Sequence, residues 1–293
     1  IPAWIACVLQ DGKSVNCRYN LRRMQEIIRS RTDATHTIGE AIRQATVPPK
    51  LWINAASATI YRHAPDKPQD DIAGHISDRK DDNMPYSLLD RVRRKIKKGI
   101  VAMRYGKRSN EYELLDKDFS VTVCRAWEKT FGEERTPFTR KVALRMAIVL
   151  GEGGVIVPFF NLLKFGLGRK QGDGRQMFSW VHVEHVCRSI DWCYNHTEVE
   201  GIYNCAAPAP VTNDTLMRTM RKITGHRVGL PAYNWMLELG AALIGTETEL
   251  ILKSRWVLPA KFLQAGFRFK YDNIDDAISA VVSNTPRKDY HLF

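Results

Sequence analysis

The sequence predicts an α/β fold built on a mainly parallel sheet, and three observations carry that prediction. Short apolar runs of strand length recur along the chain, among them residues 50–55 (KLWINA), 141–150 (KVALRMAIVL) and 201–206 (GIYNCA). Between them lie segments with apolar residues at helical spacing, and strands alternating with helices indicate parallel pairing through crossover helices. The 293 residues are 44% hydrophobic and 26% charged, which excludes a disordered chain, a collagen-like repeat and a coiled coil. No internal repeat is present.

The elements follow in order. Residues 1–10 open the chain with an apolar stretch. Residues 20–44 read as a long helix whose buried face is Leu21, Met24, Ile28, Thr35, Ile38 and Ile42. Val47-Pro48-Pro49 stops it. The strand over 50–55 follows, then Ser57-Ala58-Thr59-Ile60-Tyr61, a polar loop over 62–76 and a basic segment. Residues 119–131 form a helix with Val123 and Trp127 on one face, and 141–150 a continuous strand ended by Gly151-Glu152-Gly153-Gly154. A helix over 155–165 leads to a glycine-rich loop, 166–174. Then come a strand over 178–183, a helix over 184–195, a strand over 201–206 and a helix over 214–224 capped by Thr212 or Asn213. A helix over 231–244, a helix over 259–264, a strand over 267–269 and a helix over 274–282 complete the chain.

The charge is uneven. The chain carries 44 Lys and Arg against 32 Asp and Glu, a net charge of +12. From Arg79 to Arg108 there are eleven basic and three acidic residues, which accounts for +8 of that total. Within this stretch Leu88, Val92, Ile96 and Ile100 recur every four residues, an apolar stripe on a helix whose other faces carry Arg91, Arg93, Arg94, Lys95, Lys97 and Lys98. One expectation is a surface helix that packs its stripe on the domain. The other is contact with an anionic partner: RNA, acidic lipid or an acidic protein, through residues 79–108. Aromatic residues do not interleave with the cations as a base-stacking platform would require.

Six cysteines without a Cys-x-x-Cys pair read as free thiols in a reducing compartment, the cytoplasm or an organelle matrix. No basic segment precedes the opening apolar stretch, so no signal peptide is expected. No run approaches the length of a membrane span, and no metal-ligand constellation is evident.

Several motifs form an ordered series: Ser57-Ala58-Thr59-Ile60-Tyr61, Cys124-Arg125-Ala126-Trp127-Glu128, Leu144-Arg145 with Ile148-Val149-Leu150-Gly151, Gly172-Asp173-Gly174-Arg175-Gln176, and Trp180-Val181-His182-Val183-Glu184. Gly229-Leu230-Pro231-Ala232, Gly245-Thr246-Glu247, Leu258-Pro259 and Ala265-Gly266-Phe267-Arg268-Phe269 extend it, and Gly12-Lys13-Ser14-Val15-Asn16 with Ser30-Arg31 precedes it. This series resembles the atypical extended short-chain dehydrogenase/reductases of the NAD-dependent epimerase/dehydratase-like subgroup, with its C-terminal domain of unknown function. The resemblance covers residues 12–76 and 119–283. It implies a Rossmann-like, doubly wound sheet, N-terminally incomplete, with a small mixed C-terminal region. The expected organisation is a partial core over 1–76, a basic helical insert over 77–118, the rest of the core over 119–206 and a substrate-type region over 207–293.

The departures are as informative. No Gly-x-Gly-x-x-Gly occurs, so the glycine turn that brings a dinucleotide diphosphate onto a helix N-terminus is not in this sequence. The first three strands of the family sheet are expected to be absent, with residues 1–10 at the position of the next one. No tyrosine has a lysine four residues on, so the acid/base pair of better-known relatives is missing.

The resemblance assigns roles residue by residue. Ser57 would polarise a substrate oxygen beside the cofactor, and Tyr61 would border the same pocket as a second catalytic candidate. Gly12 would let the backbone approach the adenosine side of NADP or NAD. Arg145 would lie on the cofactor side, although a charge ending a buried strand must be paired and also reads as a structural ion pair. Arg175 would hold a substrate anion, with Trp180 and His182 lining the site; His182 reads equally as a satisfied core histidine. The implied function is an NAD(P)-dependent epimerase-like oxidoreductase on a sugar-nucleotide-like substrate, weak or lost in activity. The alternative is a non-catalytic scaffold whose basic insert binds RNA or another anionic partner.

Overall fold

A computed structural model describes residues 5–8, 12–15, 17, 19–76, 88–116, 118–233 and 253–292. In chain order the elements are β1 (Ile5–Val8), α1 (Leu21–Gln44), β2 (Leu51–Ser57), a 3-10 turn (Ala58–Ile60), α2 (Leu88–Tyr105), α3 (Asn110–Asp116), α4 (Phe119–Glu133), β3 (Arg140–Met146), β4 (Ile148–Leu150), α5 (Ile156–Lys164), β5 (Met177–Phe178), β6 (Trp180–His182), α6 (Val183–Asn195), β7 (Gly201–Cys205), β8 (Val211–Thr212), α7 (Asn213–Thr224), α8 (Ala260–Gln264) and α9 (Ile274–Ser283). The central sheet has the order β1-β2-β3-β7, and every pair in it is parallel. A Rossmann-like, mainly parallel α/β fold is therefore what the sequence encodes.

Strand β2 shows how the layers arise. Successive side chains of a strand point to opposite faces. Leu51 and Ile53 join Val142, Leu144, Val186, Cys193, Phe262 and Phe267 on the α6–α8 side. Trp52 and Ala56 join Ile42, Phe131 and Ala143 on the α1–α4 side. Both faces are covered, so the strand carries no exposed face and reads as an apolar run broken only by the buried Asn54. A further core of Leu150, Phe160, Trp180, Leu216, Met217, Met220 and Ile278 binds α5, α7 and α9 to the separate β4–β6 pair.

Several expectations change. The single strand over 141–150 is broken at Ala147, whose N–H bonds Cys205 while the next N–H, of Ile148, bonds Ser179. Strand β3 thus stays in the main sheet, and β4 leaves it to pair with β6. Met177 and Phe178 belong instead to an antiparallel pair with β8, an element without a sequence signal. Residues 267–269 form no strand: the Phe267 N–H bonds the Phe262 carbonyl in a turn, and the Phe267 and Phe269 rings pack on α6 through Trp192 and His185 respectively. Thr212, rather than Asn213, caps α7 by accepting from the Thr215 N–H. Most of the helix expected over 231–244 lies outside the described residues.

The basic segment holds two helices, α2 and the unforeseen α3. The apolar stripe of α2 does not pack on the domain: Val92, Ile96 and Ile100 are exposed. The helix is seated instead by Val101, one residue out of the four-residue register, against Met24, Ile27, Leu115 and Phe119, and by the Lys97 ammonium donating to the Tyr19 carbonyl.

Candidate functional site

In open parallel sheets, ligands bind in the crevice beyond the carboxyl ends of the strands. Ser57 is the last residue of β2 and stands in register with Met146, the last of β3. Its Oγ accepts from the Thr59 N–H at 3.3 Å and lies in a close hydroxyl–hydroxyl contact with Thr59 Oγ1. Thr59 Oγ1 in turn is 3.9 Å from Cys124 Sγ on α4. Burial pushes the Cys124 thiol up to about 11, so it stays protonated and is no nucleophile at neutral pH.

A buried ion pair underlies this turn. The Lys253 ammonium donates to Asp118 Oδ2 at 2.8 Å and to the Thr59 carbonyl at 3.4 Å. Asp118 also caps α4 by accepting from the Val121 N–H. The segment that carries Lys253 continues as Ser254, whose N–H donates to His63 Nδ1 and whose Oγ accepts from the Met177 N–H. One short stretch thereby ties the Ser57 turn to the loop that contains Arg175. Burial and the neighbouring Lys253 and Arg255 charges lower the His63 pKa, which suits its role as a neutral acceptor.

The other expected residues divide. Tyr61 is buried, and its hydroxyl donates to Asn204 Oδ1 at 3.0 Å and to the Asp70 carbonyl at 2.8 Å and accepts from Arg145 Nη1 at 2.9 Å, a single proton serving two acceptors. Burial raises its pKa despite the nearby guanidinium. Arg145 forms a two-pronged pair with Glu128, both bonds 2.7 Å. Burial disfavours its charge, but the Glu128 carboxylate outweighs that and raises the pKa. Together these groups form one hydrogen-bonded polar network that links β3, β7 and the loop after β2.

Trp180 is fully buried and its indole N–H donates to the Ala209 carbonyl. His182 caps α6 through Nδ1, which accepts from the Glu184 N–H, and its ring packs on Tyr271. Arg175 is exposed in its loop, with its N–H on Asp173. Gly12 lies against Arg31; a Cβ there would come within 2.9 Å of three of its side-chain atoms. Lys253, Asp118, Thr59 and His63 were not foreseen. Asp118 before an apolar helix is a readable cap signal, whereas nothing local marks a lysine that becomes buried only through long-range packing. Among the described residues no group of three potential ligands could hold a metal ion.

Comparison with known proteins fits this architecture. The family described as "Domain of unknown function (DUF1731)" matches residues 234–281. The Bacillus subtilis "Epimerase family protein YfhF" is 25% identical over 284 residues, covering 97% of this chain and 79% of that protein. The Arabidopsis thaliana "Epimerase family protein SDR39U1 homolog, chloroplastic" is 30% identical over 170 residues, 57% of this chain and 47% of the relative. The human epimerase family protein SDR39U1, solved with NADPH, superposes with a TM-score of 0.73 at 21% identity, covering 94% of this chain and 80% of that one. A nucleoside-diphosphate sugar epimerase from Corynebacterium glutamicum gives a TM-score of 0.60 at 20% identity, over 90% of this chain and 44% of its own.

Proposed function

We propose that this chain, an atypical extended short-chain dehydrogenase/reductase-like protein of the epimerase type, binds the reacting end of an NAD(P) cofactor and acts on a sugar-nucleotide-like carbonyl with low turnover. The observation that carries the reading is the Ser57 hydroxyl at the carboxyl end of β2, half-buried beside Thr59. The relative solved with NADPH supports the choice of cofactor.

The residues present fit one end of the cofactor. A small hydroxyl pair at the carboxyl end of an inner parallel strand suits a nicotinamide and a substrate oxygen. No Gly-x-Gly-x-x-Gly occurs in the sequence, so no residue is assigned to the diphosphate. When bound, the nicotinamide supplies or accepts a hydride. Ser57 donates to the substrate oxygen and orients it, with Thr59 as its hydrogen-bonding neighbour. Arg175, exposed at the far end of the same tied segment, would hold an anionic group of the substrate.

Low turnover follows from protonation chemistry. The Cys124 thiol, 3.9 Å from Thr59 Oγ1, and the Tyr61 hydroxyl both have raised pKa values and do not exchange protons readily near neutral pH. Titration of the protein with NADPH and NADH, followed by cofactor fluorescence, should saturate in the micromolar range. Ser57→Ala should keep that binding and lower hydride transfer to a nucleotide-sugar by tenfold or more, on the order of one lost transition-state hydrogen bond. Absence of binding up to millimolar cofactor would overturn the reading and leave the non-catalytic scaffold.

A further inference from the structure

Helix α2 exposes two kinds of chemistry side by side. At about 100° per residue, Val92, Ile96, Ile100 and Met103 fall within an arc of about 80°. They are 48%, 58%, 55% and 85% exposed. Arg91 and Lys95 border the stripe on one side and Arg93 and Arg104 on the other, all exposed. From Arg91 to Tyr105 there is no acidic residue. The opposite face is occupied, since Val101 packs into the core formed with Met24, Ile27, Leu115 and Phe119. The apolar stripe is therefore held outward by the way the helix is seated.

We propose that this outward face of α2 is a peripheral docking surface for an anionic lipid bilayer. The arrangement is that of an interfacial helix, with a narrow aliphatic stripe between two rows of cations, lying parallel to the surface with the stripe among the acyl chains and the cations at the headgroups. No described helix is long and apolar enough to cross a membrane, so the contact is on the surface and not through it. Nucleic acid explains the cations but not the stripe: a phosphate backbone rewards charge, and base stacking needs aromatic rings. Here the exposed apolar side chains between the cations are Val, Ile, Ile and Met.

The test is co-sedimentation of the full chain with vesicles of phosphatidylcholine alone and with phosphatidylserine added. Binding should require phosphatidylserine and weaken as salt rises. Arg91→Gln, Arg93→Gln and Lys95→Gln should each weaken it about fivefold. Ile96→Ser with Ile100→Ser should weaken it at least tenfold with the cations intact. These side chains are exposed, and unchanged thermal unfolding of each variant confirms that the fold is kept. A fluorophore on Val92→Cys should shift to the blue on the anionic vesicles, reporting burial without removing a charge. Absence of phosphatidylserine-dependent binding would overturn the proposal. Binding that the Ile96 and Ile100 changes leave intact would also overturn it, since charge alone would then suffice. So would tighter binding to a single-stranded RNA that ignores the stripe, which would make the partner a nucleic acid.

Discussion

The Lys253 ammonium lies 2.8 Å from the Asp118 carboxylate, with a lysine side chain that is 0% exposed and an aspartate that is 10% exposed. The two residues are 135 positions apart in sequence, so the pair fastens the C-terminal region to the start of α4. Two charges taken out of water are tolerated only because they face each other, and removing one strands the other. Lys253→Met should therefore destabilise the fold by about 3 kcal/mol. Asp118→Asn, which keeps an oxygen for the α4 cap, should cost a similar amount. The double variant should cost less than the two together, and urea unfolding of all four proteins closes the cycle. Additive losses would mean that the pair is not coupled.

Arg145 and Tyr61 give the second prediction. The guanidinium holds Glu128 with two bonds, donates to the Tyr61 hydroxyl and lies 5.1 Å from the centre of its ring. Tyr61→Phe removes one hydroxyl that joins Arg145, Asn204 and the Asp70 carbonyl, which should cost about 1–2 kcal/mol in stability. If Tyr61 works only through packing and this network, cofactor affinity should change by less than about twofold. A large loss of NADPH affinity without a loss of stability would instead give Tyr61 a direct role in the site.

The difference between what the sequence displays and what it hides is visible in these residues. The strand β2 is legible because burial on both faces leaves an apolar run broken only by Asn54, and α1, α4 and α6 because each has one apolar face. Ser57 is legible because a small polar residue ends that run. Helix α2 was legible as a helix but not in its orientation. Periodicity gives the phase of a stripe, not which side the rest of the chain covers, and Val101, outside the stripe, decides it. Lys253 and the Ser254 contacts were not legible, since no local pattern distinguishes a buried lysine from a solvated one. The break at Ala147 was hidden for the same reason: no glycine, proline or other turn residue separates β3 from β4, and only their different partners do.

His185 gives the fold a dependence on acid. Its side chain is fully buried, and Nε2 accepts from the N–H groups of both Lys270 and Tyr271. Nδ1 has no hydrogen-bond partner among the described residues. A proton on Nε2 would break both acceptor contacts, and burial lowers the pKa from 6.5 to about 4, with His182 and Arg188 adding to the effect. Between those values the unfolded chain binds the proton and the folded chain does not, so stability falls as pH drops through that window. The loss across that window is roughly 3 kcal/mol. His185→Gln should be less stable at neutral pH and should show a shallower decline from pH 6.5 to 4, followed by thermal unfolding across the range. The slope should not vanish, because His63 and His182 are shifted in the same direction.

Gly39 lies within α1, where alanine is ordinarily the better helix former by about 1 kcal/mol. Here the expectation reverses. A Cβ on Gly39 would collide with Glu134 Oε2 and come within 2.7 Å of its Cγ. That carboxylate cannot swing away freely: Arg43 and His36 both hold it, and its side chain is only 7% exposed. Burial by itself would raise the Glu134 pKa, but these two partners outweigh it and lower the value, so the displaced group would carry its charge into a worse position. Gly39→Ala should therefore destabilise the protein by about 1–2 kcal/mol, the usual cost of overpacking a filled site. Gly39→Ala in a Glu134→Ala background should instead recover the helix gain and exceed the stability of Glu134→Ala alone. Urea unfolding of the two pairs decides it, and a Gly39→Ala variant more stable than the parent would show that the Glu134 side chain yields without cost.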